Sequence, residues 1–319
     1  MKTKLLTTDA LRAALHELAI GYTESGGDKE GLGFASLRNI VPSGIYFIED
    51  GLPQAALAIR DSVVLCKDGS GLDASNTVQV VAEPQLAFYK LMRFFYAPAT
   101  VTTAAPVIHP TAIIDDSAVI GNNVRIGPYS VIGDCVIGSG TTIASHVVVE
   151  DGCTIGDDCD IESHTTIGAR GVAWIWDPHT RQRIVQPQIG GCVIGKQCFI
   201  GTSVTIVRGS VNESTVIGEG TLMAHGSKIG HGCHVGKQNH FANSVSLAGN
   251  VTTGDRCFFG SGSVVRPMVR LADDTIVGAG AAVVADVEIA HSMLVGVPAV
   301  VKSRDQRKSR HNGVPKNLS

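Results

Sequence analysis

Residues 217–249 read IGEGTLMAHGSKIGHGCHVGKQNHFANSVSLAG, and this stretch decides the fold. An apolar residue or Thr returns at every sixth position, usually followed by Gly or Ala. The register continues to residue 295, at Ile217, Met223, Ile229, Val235, Phe241, Leu247, Thr253, Phe259, Val265, Leu271, Val277, Val283, Ile289 and Val295. A helix repeats about every 3.6 residues and a strand every 2, so neither produces this pattern. A chain coiling through short strands does, with one aliphatic side chain turned inward per strand and a small residue at each corner. The period predicts a mainly β fold, a left-handed parallel β-helix.

The repeat covers most of the chain. It begins at Ile108, slips by one residue before Ile137, and is interrupted at residues 168–190 by GARGVAWIWDPHTRQRIVQPQIG. It returns at Ile194, slips again, and runs from Val211 to Val295. Three hexads make one coil, so residues 18 apart stack on one face, and the length predicts about nine or ten coils.

The first 105 residues lack the hexad and predict a separate small α/β domain. The stretch 97–106 is small and bounded by Pro, which indicates a linker. The β-helix is predicted over 106–301, and 302–319 is a polar, basic tail. Within the first domain we predict two helices, the second with Leu86, Leu91, Met92 and Phe95 on one face, and three extended segments. The helices are placed at 9–18 and 84–95, and the extended segments at 44–48, 62–66 and 77–81.

Composition excludes several classes of protein. A net charge of −3 argues against a general binder of nucleic acids or membrane surfaces. No apolar run approaches the roughly 20 residues that span a bilayer. The first residues turn polar after two Leu, unlike a signal peptide, so we expect a cytoplasmic protein.

Seven of the eight cysteines occupy one slot of the repeat, two residues before an inward position. They are Cys135, Cys153, Cys159, Cys192, Cys198, Cys233 and Cys257. Cysteines six residues apart lie on different faces of a triangular coil, too far apart for a disulfide or a shared metal. The pattern therefore predicts buried, reduced thiols.

Two clusters of side chains are candidates for chemistry. The interruption at 168–190 carries both tryptophans of the chain, Trp174 and Trp176, and it forms either a wall of a binding site or a subunit-packing loop. Histidines crowd residues 225–240 and suggest a zinc site, as in β-helical carbonic anhydrases. Such a site needs three converging imidazoles, which this spacing does not provide, so no metal is predicted.

Several segments resemble the acyltransferases of lipid A synthesis, in particular the N-acyltransferases that act on UDP-3-O-acylglucosamine. The central ones are IVRGSVNESTVIGEG at 206–220, KIGHGCHVG at 228–236, SLAGNV at 246–251 and PQIG at 187–190. In the first domain they are SL at 36–37, GIYF at 44–47 and SVVLC at 62–66. The resemblance covers nearly the whole chain and is strongest from about residue 186 to residue 260.

The resemblance implies the chemistry of the central motifs. It makes His231 the general base and Gly249 the residue whose backbone N–H stabilises the oxyanion. Independently, the repeat places these two residues one coil apart on the same face. An imidazole that accepts a proton and a preorganised N–H donor are what acyl transfer requires. The alternative is a surface histidine at a coil corner.

The resemblance also implies substrates, partners and further site residues. The expected co-substrates are a nucleotide-linked amino sugar and an acyl thioester, carried by coenzyme A or acyl-carrier protein, with no tightly bound cofactor. The first domain would bind the nucleotide sugar, and the β-helix would form a homotrimer. Candidate acceptor-binding residues are Tyr46, Phe47, Trp174, Trp176, His225, His240 and Asn243. Candidate donor-binding residues are Arg266, Pro298 and Lys302.

Three departures from the family pattern keep other functions open. Met268 stands where the family has a second histidine, residues 48–51 replace an Asn-Pro-Lys-Tyr stretch that helps hold uracil, and the C-terminal helical extension is missing. The ending at 295–301 resembles transferases that use acyl-CoA. An alternative is therefore a short-chain N-acyltransferase acting on a UDP- or dTDP-amino-deoxysugar for surface polysaccharide. The alternatives of other classes are a zinc-dependent hydratase and a non-catalytic scaffold.

Overall fold

A computed structural model describes residues 5–96 and 105–302, the last two by their backbone alone. Contacts divide the chain into two compact units, Met1–Thr100 and Val101–Ser319. The predicted linker at 97–106 lies largely outside the described residues, as does all of the predicted tail after Lys302.

The first unit is an α/β domain built on one five-stranded sheet. Its helices are α1 (Thr8–Glu17) and α2 (Pro84–Tyr96), with a 3-10 helix at Gln54–Ala58. Its strands are β1 (Tyr22–Ser25), β2 (Gly33–Phe34), β3 (Gly44–Ile48), β4 (Val63–Cys66) and β5 (Thr77–Val81), in the order β1-β5-β4-β3-β2. All neighbours are parallel except β1 and β5. The two predicted helices and three extended segments are confirmed within a residue at each end.

The buried face of α2 differs from the prediction. Ala87, Phe88 and Leu91 are buried, whereas Leu86 and Met92 are exposed. The helix turns this face to the sheet because the Phe88 ring packs against Phe34 and Phe47, with centroids 5.1 and 4.9 Å away. The prediction for Leu86 and Met92 was therefore wrong.

The second unit is the left-handed parallel β-helix, with three sheets wound around one core. The nine-stranded sheet contains Ile113–Ile114, Val131–Ile132, Val148–Val149, Thr166–Ala169, Thr205–Val207, Lys228–Ile229, Ser246–Leu247, Val264–Val265 and Ala282–Val283. The eight-stranded sheet contains Val119–Ile120, Val136–Ile137, Cys153–Ile155, Gly191–Ile194, Ser214–Ile217, His234–Val235, Thr252–Thr253 and Arg270–Leu271.

The eleven-stranded sheet completes the triangle. It contains Val107–Ile108, Arg125–Ile126, Thr142–Ile143, Asp160–Ile161, Phe199–Ile200, Leu222–Met223, His240–Phe241, Phe258–Phe259, Ile276–Val277, Met293–Val295 and Val300–Lys302. The last strand pairs antiparallel with its neighbour, and the other strands pair in parallel.

The core consists of inward side chains stacked coil upon coil. Met223, Phe241, Phe259 and Val277 follow one another up the eleven-stranded sheet and are fully buried. The rings of Phe241 and Phe259 are stacked with centroids 4.5 Å apart. This stacking is the structural reason for the six-residue period, since each hexad contributes one such side chain.

A second inward slot, two residues earlier, holds small side chains that pair with the backbone. The hydroxyls of Thr141 and Thr165 donate to the carbonyl oxygens of Gly156 and Gly201, each at 2.8 Å. Cysteines fill the same slot, and all eight cysteines are buried and free, as predicted. Burial raises the pKa of the Cys135 and Cys257 thiols to about 12.

Two insertions lengthen coils in the middle of the solenoid. Ile120 pairs with Ile137, which confirms the one-residue slip, but Ile155 pairs with Ile194 because the 168–190 segment leaves the coil. Ile194 then pairs with Ile217 because a short loop, residues 209–213, bulges out before the next strand. Val211 lies in this loop and is exposed, so its prediction as an inward residue was wrong.

The repeat also ends earlier than predicted. Ile289 is 74 % exposed, and Val287 takes the inward place beside Leu271. The corner between Val283 and Val287 is shorter than the others. In this corner the Asp286 carboxylate accepts a hydrogen bond from the Arg270 N–H at 2.9 Å. In the next strand Leu294 is buried and Val295 is only half-buried. The inward positions predicted at Ile289 and Val295 were therefore wrong.

No helix among the described residues is long and apolar enough to cross a bilayer.

The stacked core predicts opposite outcomes for two neighbouring residues. Ile137 is buried and Val136 is 43 % exposed on the same strand. We expect Ile137→Ala to lower the free energy of unfolding by about 2–5 kcal/mol, because it leaves a cavity in the core. Val136→Ala, the matched control, should change it by about 0.5 kcal/mol or less. Urea denaturation measures both, and similar losses for the two variants would contradict the inward placement of Ile137.

Candidate active site

His231 and Gly249 occupy the same corner of successive coils, between the nine-stranded and the eight-stranded sheets. Each begins the turn that follows a nine-stranded-sheet strand, Lys228–Ile229 and Ser246–Leu247 respectively. The Asn250 N–H donates to the His231 carbonyl oxygen at 2.7 Å, and the Met268 N–H donates to the Gly249 carbonyl oxygen at 3.0 Å. These bonds tie the corners into a column.

The His231 imidazole lies directly over Gly249. A methyl group added at Gly249 would collide with Nε2, with Cε1 and Cδ2 2.8 and 2.9 Å away. Only a residue without a side chain leaves room for the ring. Among the described residues, the Gly249 N–H has no hydrogen-bond acceptor. A ring nitrogen and an N–H group with no acceptor among the described residues therefore lie side by side at this corner.

The other ring nitrogen is held by the loop 209–213. Ser210 Oγ lies 3.1 Å from His231 Nδ1. The Glu213 carboxylate closes this loop by accepting the N–H groups of Ser210 at 2.6 Å and Val211 at 3.1 Å. Its pKa is lowered by its own backbone N–H, by those of Ser210 and Val211, and by the charge of His231. Our sequence prediction missed Ser210 and Glu213, although the break in the repeat after Val207 marks their loop.

The inserted segment is attached to the same loop. The N–H groups of Ile189 and Gly190 donate to the carbonyl oxygens of Ser210 and Gly209, each at 3.2 Å. On the other side, Arg208 donates from Nε to the Gly168 carbonyl oxygen at 2.9 Å. Both ends of the insertion are thus fixed to residues 208–210, beside His231.

The insertion itself forms a two-stranded hairpin. Trp174–Trp176 pairs antiparallel with Arg183–Val185, and the two indoles are 50 and 56 % exposed. The Arg183 guanidinium lies 5.3 Å from the centre of the Trp174 ring, a cation–π contact. Exposed aromatic rings of this kind pack on sugars, bases or another protein surface.

Three predicted acceptor-binding residues lie away from this corner. His225 and Asn243 are exposed at the corner between the eleven-stranded and nine-stranded sheets, the opposite edge of the nine-stranded sheet. His240 is on the outer face of the eleven-stranded sheet, with its ring 5.1 Å from Phe258. It lines a groove of about 570 Å³ with Phe258, Ile276 and Met293, and burial lowers its pKa. Within one chain these residues do not converge on His231.

The two predicted residues of the first domain differ in accessibility. Tyr46 is fully buried, and its hydroxyl donates to the Val41 carbonyl oxygen and accepts from the Val41 N–H. That geometry does not fit the predicted contact with a ligand. Phe47 is half-buried and packs against Phe88 and Tyr89, of which Tyr89 is exposed.

The predicted donor-binding residues are spread over the C-terminal coils. Arg266 is exposed and directly precedes the turn at residues 267–268, which lies one coil after Gly249 at the same corner. Its guanidinium donates to the Val284 carbonyl oxygen at 3.4 Å. Pro298 is exposed between the last two strands, and Lys302 ends the last strand, its side chain outside the described part of the chain. Within the residues described, no three His, Cys, Asp or Glu side chains are grouped as a metal site.

Known proteins with similar sequences and folds are acyltransferases. The family described as bacterial transferase hexapeptide (six repeats) matches residues 134–169. The UDP-3-O-acylglucosamine N-acyltransferase of Coxiella burnetii (strain Dugway 5J108-111) is 29% identical over 234 residues, covering 66% of this chain and 67% of the relative.

Solved structures with a similar fold are also acyltransferases. The UDP-N-acetylglucosamine O-acyltransferase of Moraxella catarrhalis RH4 is 33% identical with a TM-score of 0.57, and the match covers 66% of this chain and 79% of that one. The UDP-N-acetylglucosamine acyltransferase of Francisella novicida is 26% identical with the same TM-score, over 66% of this chain and 75% of that one.

The fold, the corner with His231 and Gly249, and these similarities define a β-helical transferase. The chain belongs to the hexapeptide-repeat acyltransferase family, and it is an enzyme of that class.

The contact between His231 and Gly249 makes a direct prediction. Gly249→Ala should displace the imidazole and lower acyl transfer by about 100-fold or more, because base and oxyanion donor lose their alignment. The fold should survive, because the three atoms nearest to the added methyl all belong to the His231 ring, a side chain that can move aside. Gly21→Ala, where an added methyl meets no atom within 4 Å, is the control. Turnover and thermal midpoint measure the two effects, and a Gly249→Ala protein with wild-type turnover would contradict this role of the corner.

Proposed function

We propose that the protein is an N-acyltransferase that moves an acyl group from a thioester to the amino group of a nucleotide-linked amino sugar. The amine nitrogen attacks the thioester carbonyl carbon and gives its proton to His231 Nε2. The carbonyl oxygen becomes an oxyanion that accepts the Gly249 N–H. As the C–S bond breaks, His231 returns the proton to the leaving sulfur, so the products are an amide and a free thiol.

The observation that carries the proposal is the position of the His231 ring. Its Nε2 faces a glycine whose N–H is unpaired in the described part of the chain, and its Nδ1 faces Ser210. An acyltransferase of this kind needs a base and an oxyanion donor at one point, with nothing else bonded to either. A scaffold protein has no need of this arrangement.

The acceptor class rests on the relatives and on the aromatic groups near the site. The relative from Coxiella burnetii is named for an amino group of a UDP-linked sugar, and that from Moraxella catarrhalis for a hydroxyl of one. In this chain the inserted segment, whose ends are fixed to residues 208–210, carries Trp174, Trp176 and Arg183, which could contact a sugar or a base. We assign nucleotide binding to the first domain, with Phe47 and the exposed Tyr89 as the candidate rings.

The donor is an acyl thioester of coenzyme A or acyl-carrier protein, and no tightly bound cofactor takes part. Arg266 and Lys302 are the basic residues that we assign to its phosphates, with Pro298 shaping the turn beside them. We assign the reaction to the cytoplasm.

We further propose that the working unit is a homotrimer. The hairpin insertion exposes apolar side chains, including Val172, Ile175, Ile184 and Ile189. Exposed apolar side chains on one inserted segment favour contact with another protein surface.

The test compares two histidines on the same coil. His231→Ala should lower acyl transfer to a UDP-linked amino sugar by about 100- to 10,000-fold, the usual effect of removing a general base. His234→Ala, exposed on the outer face of the eight-stranded sheet, is the control and should keep its turnover. Product analysis should find the acyl group on nitrogen.

Different outcomes contradict different parts of the proposal. Wild-type turnover by His231→Ala would remove this histidine from the mechanism. An ester product from a sugar that offers both an amine and a hydroxyl would replace N-acyl by O-acyl transfer. The acyl thioesters of coenzyme A and of acyl-carrier protein are supplied with the same acyl-chain length. The same assay then measures the preference for one carrier over the other.

A further inference from the structure

We propose that Ser210 and Glu213 are the positioning residues of His231, acting through the loop 209–213. The inference rests on the proposed function and adds the groups that orient its base. A histidine can accept a proton at Nε2 only when its neutral ring carries its hydrogen on Nδ1. A hydrogen-bond acceptor at Nδ1 favours this tautomer, and the described part of the chain places one there.

The partner is the Ser210 hydroxyl. Its Oγ is 3.1 Å from His231 Nδ1, within range of a hydrogen bond that Nδ1–H donates. The opposite edge of the ring then presents the Nε2 lone pair toward Gly249. With Ser210 Oγ as the acceptor, the contact holds the ring in this tautomer and sets its direction.

Ser210 is itself held from two sides. Its N–H donates to the Glu213 carboxylate at 2.6 Å, and its carbonyl oxygen accepts the Ile189 N–H at 3.2 Å. The first bond closes a tight loop of the chain, and the second joins that loop to the hairpin insertion. The loop interrupts the repeat, so the coil alone would not put a hydroxyl at this place.

Glu213 also contributes its charge. Three backbone N–H groups surround its carboxylate and keep it ionised, and it interacts electrostatically with His231. When Nε2 takes a proton, the ring becomes a cation that this carboxylate attracts through space, without a direct ion pair. A fixed negative charge next to a developing imidazolium stabilises it, as the carboxylate of a catalytic triad does. Here the serine, rather than the carboxylate, makes the direct bond to Nδ1.

The experiment uses the full-length chain with four substitutions, and a fifth serves only to assign the NMR signal. Ser210→Ala removes the acceptor, Ser210→Thr keeps a hydroxyl, and Glu213→Gln removes the charge. Ser203→Ala, an exposed turn serine at another corner, is the control. Steady-state kinetics give kcat and KM, and ¹⁵N NMR of the histidine rings at a pH where they are neutral gives the tautomer of His231, assigned with His231→Gln.

We expect Ser210→Ala to lower kcat by about 10- to 100-fold with little change in KM, because it removes one hydrogen bond to a group that becomes charged. Ser210→Thr should recover most of that loss. Glu213→Gln should lower kcat by about tenfold or more, on the same grounds. The His231 ring should carry its hydrogen on Nδ1 in the wild type and lose that preference in Ser210→Ala.

Two results would overturn the inference. One is a Ser210→Ala protein with wild-type kcat although His231→Ala is inactive, which would leave the proposed function standing. The other is a wild-type ring with its hydrogen on Nε2, or a tautomer unchanged by Ser210→Ala. The NMR result needs no substrate, so it decides the role of Ser210 even if the proposed reaction is wrong.

Discussion

The stacking of successive coils is the constraint on which the rest of the structure depends. Strands of neighbouring coils hydrogen-bond in parallel, about 4.8 Å apart, so in every regular coil a corner residue lies against the residue 18 positions along. That spacing is set by the backbone and does not depend on side chains. It brings His231 onto Gly249 without any contact made for the purpose. A catalytic pair can therefore be placed by the repeat itself, provided that one member is a residue without a side chain.

The site is completed where the repeat fails. The loop 209–213 supplies Ser210 and Glu213, and the insertion fixed to it supplies the two tryptophans. Regular coils give a rigid and uniform surface, and the two interruptions give that surface local shape and charge. Both interruptions lie next to the same corner, which distinguishes it from the other corners of the described solenoid. The inward hydroxyls and thiols of the solenoid core have a structural role, since each is buried away from solvent.

The sequence predicted the period, the inward positions from Ile217 to Val283 and the adjacency of His231 and Gly249, because all of these follow from a fixed spacing. It failed where spacing changes. Val211 and Ile289 kept the period in the sequence, yet a loop and a shortened corner move them outward. It also missed Ser210, whose role depends on a loop closed by a carboxylate three residues later. Tyr46 carried a family pattern but is held in the core by Val41, a contact that no periodicity reveals.

The measurement that tests this account most directly is a crystal structure of the protein with a thioester analogue in which a methylene group replaces the sulfur. The account predicts the carbonyl oxygen of the analogue about 3 Å from the Gly249 nitrogen, with His231 Nε2 facing the same carbonyl carbon from the side of the acceptor. An imidazole turned away from Gly249, or an analogue whose carbonyl is bound at another corner, would contradict it.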